Sequence, residues 1–320
     1  MMANRGIKML EKYSYLLILL TLFICMSLMS DAFFTTANLI NVLRQSAMLL
    51  IMSLGMTCAM LLGRGVDMSL GAILSVSSCI AAQFLTASKG PETVALGIIT
   101  ALAIGASAGL INGLLIAYCG LPAILVTFGT REIFRGFIYF YMNGGVVTSL
   151  HSSILFLGSG KAFGVIPMPV VIAGILVVAV QIMLKRTRIG RELYIVGTNP
   201  KAARFSGIKV NRSVVIGFTL SGILASIAGI VYLGRLGAAE AEIGKEFAFQ
   251  CVSAAAIGGV SFNGGVGTAW GAVVGALILN ILINGMNLLH VPSTWQGTVN
   301  GIVIIAAVLL DHLVRGRRER

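Results

Sequence analysis

Most of this chain consists of long apolar runs separated by short polar breaks. Most of the runs contain roughly 17 to 25 residues, the length that an α-helix needs to cross about 30 Å of hydrocarbon. Because backbone groups inside a bilayer must be satisfied internally, the pattern predicts an all-α fold, a polytopic helical membrane bundle of about ten transmembrane helices with Gly-rich breaks. The predicted spans are residues 14–30, 44–62, 68–85, 94–117, 123–142, 163–184, 213–232, 248–260, 267–288 and 296–312.

Two glycine-rich stretches interrupt apolar runs that restart directly after them. The first is Gly63-Arg64-Gly65-Val66-Asp67, and the second runs from Gly258 to Gly267. Transporters use paired, Gly-interrupted segments to place irregular backbone beside a substrate, but a tight turn between helices explains the pattern equally well. The predicted eighth span, residues 248–260, is short enough to be a re-entrant or broken helix.

Small residues recur at four-residue spacing on two of the spans. They are Gly105, Gly109 and Gly113 on one span, and Gly267, Gly271 and Gly275 on another. This spacing predicts close helix packing, because small side chains let helix backbones approach each other in a membrane.

The composition supports a membrane protein and indicates its orientation. Hydrophobic residues make up 57% of the 320 residues, charged residues only 11%, and the net charge is +12. Fifteen of the 23 Lys and Arg residues lie before the first span, between residues 185 and 212, or after the last span. The positive-inside rule then places both termini and the 185–212 loop in the cytoplasm of a bacterial inner membrane, near its lipid. The cations do not interleave with aromatic residues, so no nucleic-acid partner is expected.

The sequence lacks the residue patterns of a catalytic or metal centre. The three histidines (His151, His290 and His312) are far apart, and the five cysteines form no CxxC pair. Gly160-Lys161 and Gly244-Lys245 are not followed by Ser or Thr, as a phosphate-binding P-loop requires. We therefore expect no catalytic residue, no metal, no cofactor and no ATPase activity in this chain.

Polar residues inside the predicted spans are candidates for function, because charge in hydrocarbon is costly unless it faces protein or water. Asp67 lies at the first break, and Arg131, Glu132 and Arg135 lie in the fifth span. The two arginines share a helix face and need a partner; Asp67 is one possibility.

Uncharged amides form a stripe on the ninth span. Asn280, Asn284 and Asn287 recur on one helix face, and Asn112 adds an amide on the fourth span. Amides donate and accept hydrogen bonds without imposing charge, which suits a hydroxyl-rich solute; hydrogen bonding between helices is the alternative. An ion- or proton-coupled secondary carrier and a scaffold without transport activity remain competing interpretations.

The basic loop contains a predicted short helix. Asn199 is a suitable N-cap, Pro200 suits the first turn, and Gly207 is a plausible end. Such a helix on the cytoplasmic face fits a groove in a partner protein, whereas a solvated loop near anionic lipid is the simpler alternative.

Several motifs, in order along the chain, resemble permeases of the ribose-type branch of ATP-binding cassette importers. They are GVDMSLG (65–71), TFGT (127–130), TRIGR (187–191), VGTNP (196–200), AARFSGI (202–208), GGVG (264–267) and NGMNLL (284–289). The resemblance covers roughly residues 35 to 311. Arg64 departs from the family pattern, which has glycine or a small residue there.

The resemblance implies a single permease domain, residues 1–320, that forms the path for a ribose-like sugar. It implies a cytoplasmic ATP-binding subunit that carries ATP and magnesium, a periplasmic or lipid-anchored sugar-binding protein, and a second permease copy or paralogue. The expected substrate path comprises Asp67, Asn112, Thr127, Asn280, Asn284 and Asn287. The expected ATPase-coupling residues, in the 185–212 loop, are Asn199, Pro200, Ala203, Arg204 and Gly207.

Overall fold

A computed structural model describes the backbone of residues 2–316, the side chains of residues 16–292 and part of the last helix. Apart from one small hairpin, the regular structure of the described chain is helical. The helices are α1 (Met2–Met29), α2 (Thr36–Met60), α3 (Leu70–Ala82), α4 (Glu92–Tyr118), α5 (Ala123–Met142), α6 (Ser152–Ser159), α7 (Met168–Arg186), α8 (Arg188–Thr198), α9 (Pro200–Phe205), α10 (Val210–Leu236), α11 (Phe247–Ile257), α12 (Ala269–Leu288) and α13 (Ser293–Gly316). The hairpin pairs β1 (Lys161–Ala162) with β2 (Ile166–Pro167) in antiparallel register.

Among the described residues, five helices are long and apolar enough to cross a membrane: α2, α4, α7, α10 and α12. The apolar parts of α1, α3 and α11 are shorter. Helix α5 has 20 residues but carries three charged side chains near its middle. The prediction of an all-α membrane bundle is confirmed.

The core lies around α2, α10 and α12. Helix α10 packs against α2, α3 and α4, and α12 packs against α2, α11 and α1. The long helices α4 and α7 keep most of their surface outside the core, as expected for helices whose apolar side chains face lipid.

The two predicted glycine faces are confirmed as packing surfaces. A Cβ added at Gly113 would lie 2.7 Å from Val215 Cα, so α4 approaches α10 closely along this face. A Cβ at Gly275 would lie 2.7 Å from the Ala254 carbonyl carbon, which brings α12 equally close to α11. Glycine is required at both contacts, because they are made to backbone.

The structure corrects several parts of the helix prediction. Helix α2 begins at Thr36, eight residues before the predicted span 44–62, because the Thr35 side chain caps it by accepting a bond from Asn38 N–H. Helix α6 lies where no helix was predicted. The span predicted at 163–184 begins too early, because residues 161–167 form the hairpin and α7 starts only at Met168, beside Pro167 and Pro169. The structure also contains α8, an amphipathic helix between α7 and the predicted short helix. Its two internal glycines weaken the propensity signal for a helix there.

Candidate functional site

The two glycine-rich breaks lie against each other, with Gly63 and Asn263 exposed at the point of contact. Gly63 and Gly65 adopt φ values of 63° and 122°, a region that favours glycine. A Cβ at Gly63 would come within 2.6 Å of Asn263 O in the second break. Each break is a turn between helices, and the two turns bring irregular backbone together at one place.

The end of α8 joins these two breaks. Gly265 N donates to Leu61 O at 2.9 Å, and a Cβ at Gly197 would overlap that oxygen and lie 2.6 Å from Gly265 N. Tyr194 Oη donates to Gly267 O at 2.6 Å; burial raises the pKa of this hydroxyl, so it keeps its proton. We call this meeting point the glycine junction, formed by Leu61, Gly63, Tyr194, Gly197 and Gly264–Gly267.

Asp67, at the end of the first break, is fully buried and its carboxylate is hydrogen-bonded on both oxygens. Oδ1 accepts bonds from the backbone N–H of Ser69, at 3.0 Å, and from the Ser69 hydroxyl. Oδ2 accepts a bond from Ser221 Oγ on α10 at 2.7 Å. Asp67 therefore ties the break to α3 and α10, and among the described residues its hydrogen-bond partners are serines rather than the arginines of α5.

The same buried network continues into α4 and α5. Asn112 Nδ2 donates to Ser69 Oγ at 2.8 Å, and Thr130 Oγ1 donates to Asn112 Oδ1 at 2.8 Å. Thr127 Oγ1 accepts a bond from the N–H of Met68 at 3.1 Å and bonds its own helix at Ala123 O. Three of the predicted path residues, Asp67, Asn112 and Thr127, thus belong to one cluster that water does not reach.

The amide stripe of α12 lies elsewhere in the bundle. Asn284 exchanges two hydrogen bonds with Asn38 of α2, at 2.9 and 3.0 Å. Asn280 donates to Ala276 O of its own helix, and exposed Asn287 accepts a bond from Gln296 of α13 at 2.7 Å. The contacts of these amides are made within helices and between helices, at a distance from the Asp67 cluster.

The charged residues of α5 pair with one another and with the segment that precedes α11. Arg131 Nε lies 3.6 Å from Glu132, and Arg135 lies 3.8 Å from Glu242. Lys245 also contacts Glu242, at 3.5 Å. Glu132, Glu242 and Lys245 are each about half exposed, so these pairs open onto the surface of the chain.

The predicted short helix after Asn199 is confirmed as α9. The Asn199 side chain accepts bonds from the N–H groups of Lys201 and Ala202, at 3.1 and 3.0 Å, and so caps the helix. Pro200 occupies the first turn. The helix ends before Gly207, whose φ of 77° turns the chain back.

One side of α9 is anchored in the protein and the other is free. Ala203 is fully buried in the core, whereas Arg204 is exposed. Phe205 is 94% exposed, although an aromatic ring of this size gains from burial. The free side of α9 is therefore suited to contact another protein.

The described residues contain no cluster of three or more His, Cys, Asp or Glu side chains that could hold a metal ion. His151 caps α6, where its Nδ1 accepts a bond from Ser153 N–H at 3.2 Å. His290 has a φ of 56° at the end of α12. The His312 side chain and the basic residues of both termini lie outside the described side chains.

Sequence reasoning missed several residues of these sites, namely Ser69, Ser221, Thr130, Tyr194 and Gly197. Ser69 has a local signal, because Asp followed two residues later by Ser favours a side-chain turn. Ser221 lies 154 residues from Asp67 in the chain, and nothing in the spacing connects them.

The five helices of the described chain that are long and apolar enough to cross a membrane define it as a multi-pass integral membrane protein. Residues 38–308 match the family described as branched-chain amino acid transport system / permease component. The chain therefore belongs to this permease family.

Three relatives show how close the similarity is. The chain is 39% identical to the ribose import permease protein RbsC of Escherichia coli K12, over 93% of this chain and 92% of the relative. It is 37% identical to the RbsC protein of Bacillus subtilis strain 168, over 95% and 93%. It is 35% identical to the D-allose transport system permease protein AlsC of E. coli K12, over 90% and 87%. No solved structure gives a significant match.

Proposed function

We propose that this protein is the permease subunit of an ATP-driven importer and forms the path for a monosaccharide, a ribose-like pentose or a related sugar. The observation that carries this proposal is the full-length similarity to import permeases for ribose and for allose. In this proposal ten helices cross the bacterial inner membrane, with α3 and α11 as short or broken spans. Both termini, α8 and α9 then lie in the cytoplasm, because the basic residues concentrate there.

The free side of α9 is the proposed docking site for the ATP-binding subunit. Helix α9 is short and capped, and its buried face holds it rigidly in place. Its exposed Phe205 is an aromatic residue of the kind that dominates binding energy at interfaces. Arg204 adds a charge beside it. ATP and magnesium are held by that partner, and this chain supplies no ATPase residues.

We propose that a movement of α9 reaches the two breaks, and the transmembrane helices beside them, through the glycine junction. Helix α8 leads directly into Asn199, and its end touches the backbone of both breaks. Because these contacts are made between backbone atoms without intervening side chains, a shift of α8 is expected to displace the breaks by a similar amount. Tyr194 adds a hydrogen bond that holds α8 to the second break.

The polar residues predicted for the path are proposed to hold the walls of the path in place without contacting the sugar. Asp67, Asn112 and Thr127 fix the first break against α4, α5 and α10, so that its backbone keeps one geometry beside the sugar. Asn284 and the exposed Asn287 position α12 against α2 and α13, whereas Asn280 bonds its own helix. A sugar-binding protein delivers the sugar from the outside, and a second copy or a paralogue completes the permease pair.

Uptake measurements test the proposed function. Cells that express this chain with its ATP-binding and sugar-binding partners are expected to accumulate at least one labelled pentose or hexose, and cells lacking this chain are not. The purified chain alone in liposomes is expected to show no gradient-driven uptake. An assembled complex that transports no sugar, or uptake by the chain without an ATPase, contradicts the proposal.

The docking site is tested with a charge reversal. Arg204→Glu is expected to lower sugar uptake and ATPase co-purification together, because it places a negative charge on the free side of α9. Arg188→Glu is the matched control, since Arg188 is exposed on α8 and pairs only with Glu192 among the described residues. Equal uptake by the two variants contradicts the docking role.

A further inference from the structure

Helix α5 presents an uncovered face to the outside of the chain. A Cβ added at Gly129 or Gly136 would meet no atom within 4 Å. Glu132 lies between them on the same side of the helix, three residues after one glycine and four before the other, and is about half exposed. None of the other described parts of the chain covers this face.

In the proposed arrangement, in which α5 crosses the membrane, Glu132 lies near the middle of the membrane rather than near its surface. Arg131 and Glu132 are the ninth and tenth of the 20 residues of α5, so each lies about 12 to 17 Å from the ends of the helix. The neighbouring exposed residues Phe128, Ile133 and Phe137 are apolar. The charges therefore stand within an otherwise hydrophobic band.

The charged segment between α10 and α11 reaches the level of Glu132 along α3. The chain between α10 and α11 runs along α3, with Cys79 Sγ donating to Glu240 O at 3.3 Å and Ser75 Oγ donating to Ala241 O at 3.0 Å. Farther along, Gly244 lies against Gly71. Between Cys79 and Gly71 the segment descends about 12 Å along α3, and this descent places Glu242 beside the middle of α5.

The two elements form a charged cleft, defined by Arg131, Glu132 and Arg135 of α5 with Glu242 and Lys245 of the segment. The ion pairs are long, at 3.5 to 3.8 Å, so each partner retains capacity for further hydrogen bonds. Half-exposed carboxylates and an ammonium group at this depth are strongly disfavoured against lipid tails. The charged cleft must therefore face water or protein.

On the basis of the proposed function, we infer that the charged cleft lines the water-filled sugar path, that Glu132 contacts the sugar, and that a second copy of the chain closes the opposite wall. A half-exposed carboxylate accepts hydrogen bonds from sugar hydroxyls, while the largely buried Arg131 and Arg135, with side chains 13% and 20% exposed, hold Glu132 and Glu242 in place. Charges of both signs within one cleft avoid selecting an ion. In a two-fold pair the same face recurs on the partner copy, so one chain alone provides half of the site.

Water access is tested with single cysteines in the assembled transporter. The background replaces the two exposed cysteines, Cys25 and Cys119, by serine, since the other three are buried. Gly129→Cys reports on the charged cleft. Ile175→Cys is the matched control, because it is 64% exposed at a similar distance from the start of α7. A charged thiol reagent is expected to modify Gly129→Cys at least about tenfold faster, and saturating transported sugar is expected to slow that reaction.

Equal modification rates at the two cysteines overturn the inference, because the α5 face would then lie in hydrocarbon. Sugar-insensitive modification in a complex that transports also overturns it, because the sugar would not pass this face. If the complex with the unaltered chain transports no sugar, the proposed function fails instead. The rate at Gly129→Cys then still decides whether the face is hydrated.

Sugar contact is tested with Glu132→Gln, which keeps the side-chain shape and removes the charge. The KM for uptake is expected to rise at least about fivefold, since a hydrogen bond to a charged group is stronger than one to a neutral group. The amount of assembled complex is expected to stay unchanged. Glu92→Gln, at the exposed start of α4, is the control. An unchanged KM contradicts sugar contact, and so does reduced assembly with an unchanged KM, which would indicate a structural role.

Discussion

Replacing Gly197 by alanine tests whether the glycine junction transmits motion from α8 to the membrane interior. The added Cβ would overlap the Leu61 carbonyl oxygen and lie 2.6 Å from Gly265 N. Those two atoms form the 2.9 Å hydrogen bond that holds the two breaks together. The methyl group therefore cannot be accommodated unless α8 moves away or that bond breaks.

The magnitude follows from these contacts. Because a carbon atom ordinarily stays about 3.3 Å or more from a backbone polar atom, residue 197 must withdraw by more than about 0.7 Å, which is the shortfall at Gly265 N alone, since the Leu61 oxygen lies closer still. Overpacking of this kind costs about 1–3 kcal/mol, and a buried hydrogen bond left unmade costs about 1–3 kcal/mol. We expect Gly197→Ala to lower the stability of the assembled protein by about 2–6 kcal/mol when both costs apply.

A matched variant separates lost coupling from lost stability. A Cβ at Gly275 would similarly overlap Ala254 O, which accepts a hydrogen bond from Gly258 at 3.0 Å, but this contact joins α12 to α11 away from the junction. Gly174→Ala is the benign control, because nothing lies within 4 Å of its added Cβ and alanine favours a helix by about 0.5–1 kcal/mol over glycine.

The assay is the ratio of sugar taken up to ATP hydrolysed, measured on equal amounts of assembled transporter in liposomes, together with the thermal unfolding midpoint. Both clashing variants are expected to unfold at a lower temperature, but only Gly197→Ala is expected to reduce the ratio, because only it separates α8 from the breaks. Equal ratios for Gly197→Ala and Gly275→Ala would refute the transmission role. An unfolding midpoint of Gly197→Ala equal to that of Gly174→Ala would refute the packing argument.

Three further outcomes follow from side-chain contacts. Phe205→Ser is expected to weaken retention of the ATP-binding subunit about thirtyfold, a loss of about 2 kcal/mol, whereas Phe163→Ser, which is 96% exposed in the hairpin, should leave retention unchanged in a pull-down. In a double-mutant cycle of thermal stability, Asn38→Leu and Asn284→Leu are expected to couple by about 0.6–1.7 kcal/mol, and strict additivity would contradict their paired bonds. Asp67→Asn is expected to lower stability by about 1–3 kcal/mol, since an amide presents donors where Ser69 and Ser221 donate; an unchanged midpoint would contradict the network.

Much of the helical architecture could be predicted from the sequence, because span length and charge placement are local signals. The predicted start of α7 was wrong. The apolar run around Phe163 resembles the beginning of a helix, but Pro167 and Pro169 delay the helix until Met168. Helix α8 was missed because its stabilisation comes from burial of Leu193 and Val196 against the bundle, and propensity alone does not reveal such burial.

Less of the candidate site could be predicted, because its parts meet through contacts between distant residues. The sequence identified both breaks, but it did not show that Gly63 touches the second break and that Gly197 touches the start of the first. It identified Asp67 as a charge in the membrane, but it did not show that Ser221 accounts for one of its oxygens. A serine on an apolar helix carries no signal for a partner so far along the chain.

Hydrogen bonding and burial distinguish Asp67, which supports the structure, from Glu132, which we propose to contact the sugar. Both carboxylates belong to segments that we propose to lie within the membrane, and the sequence presents both as candidates for function. Within the described chain, Asp67 is fully buried and both its oxygens are bonded, so a sugar could reach it only by breaking the network. Glu132 is half exposed and has one long ion pair, so its remaining hydrogen-bonding capacity must be met from outside the chain. Charge in hydrocarbon is costly until it is met by water, a sugar or a second copy, and that requirement is the basis of our proposal that the path runs along the α5 face.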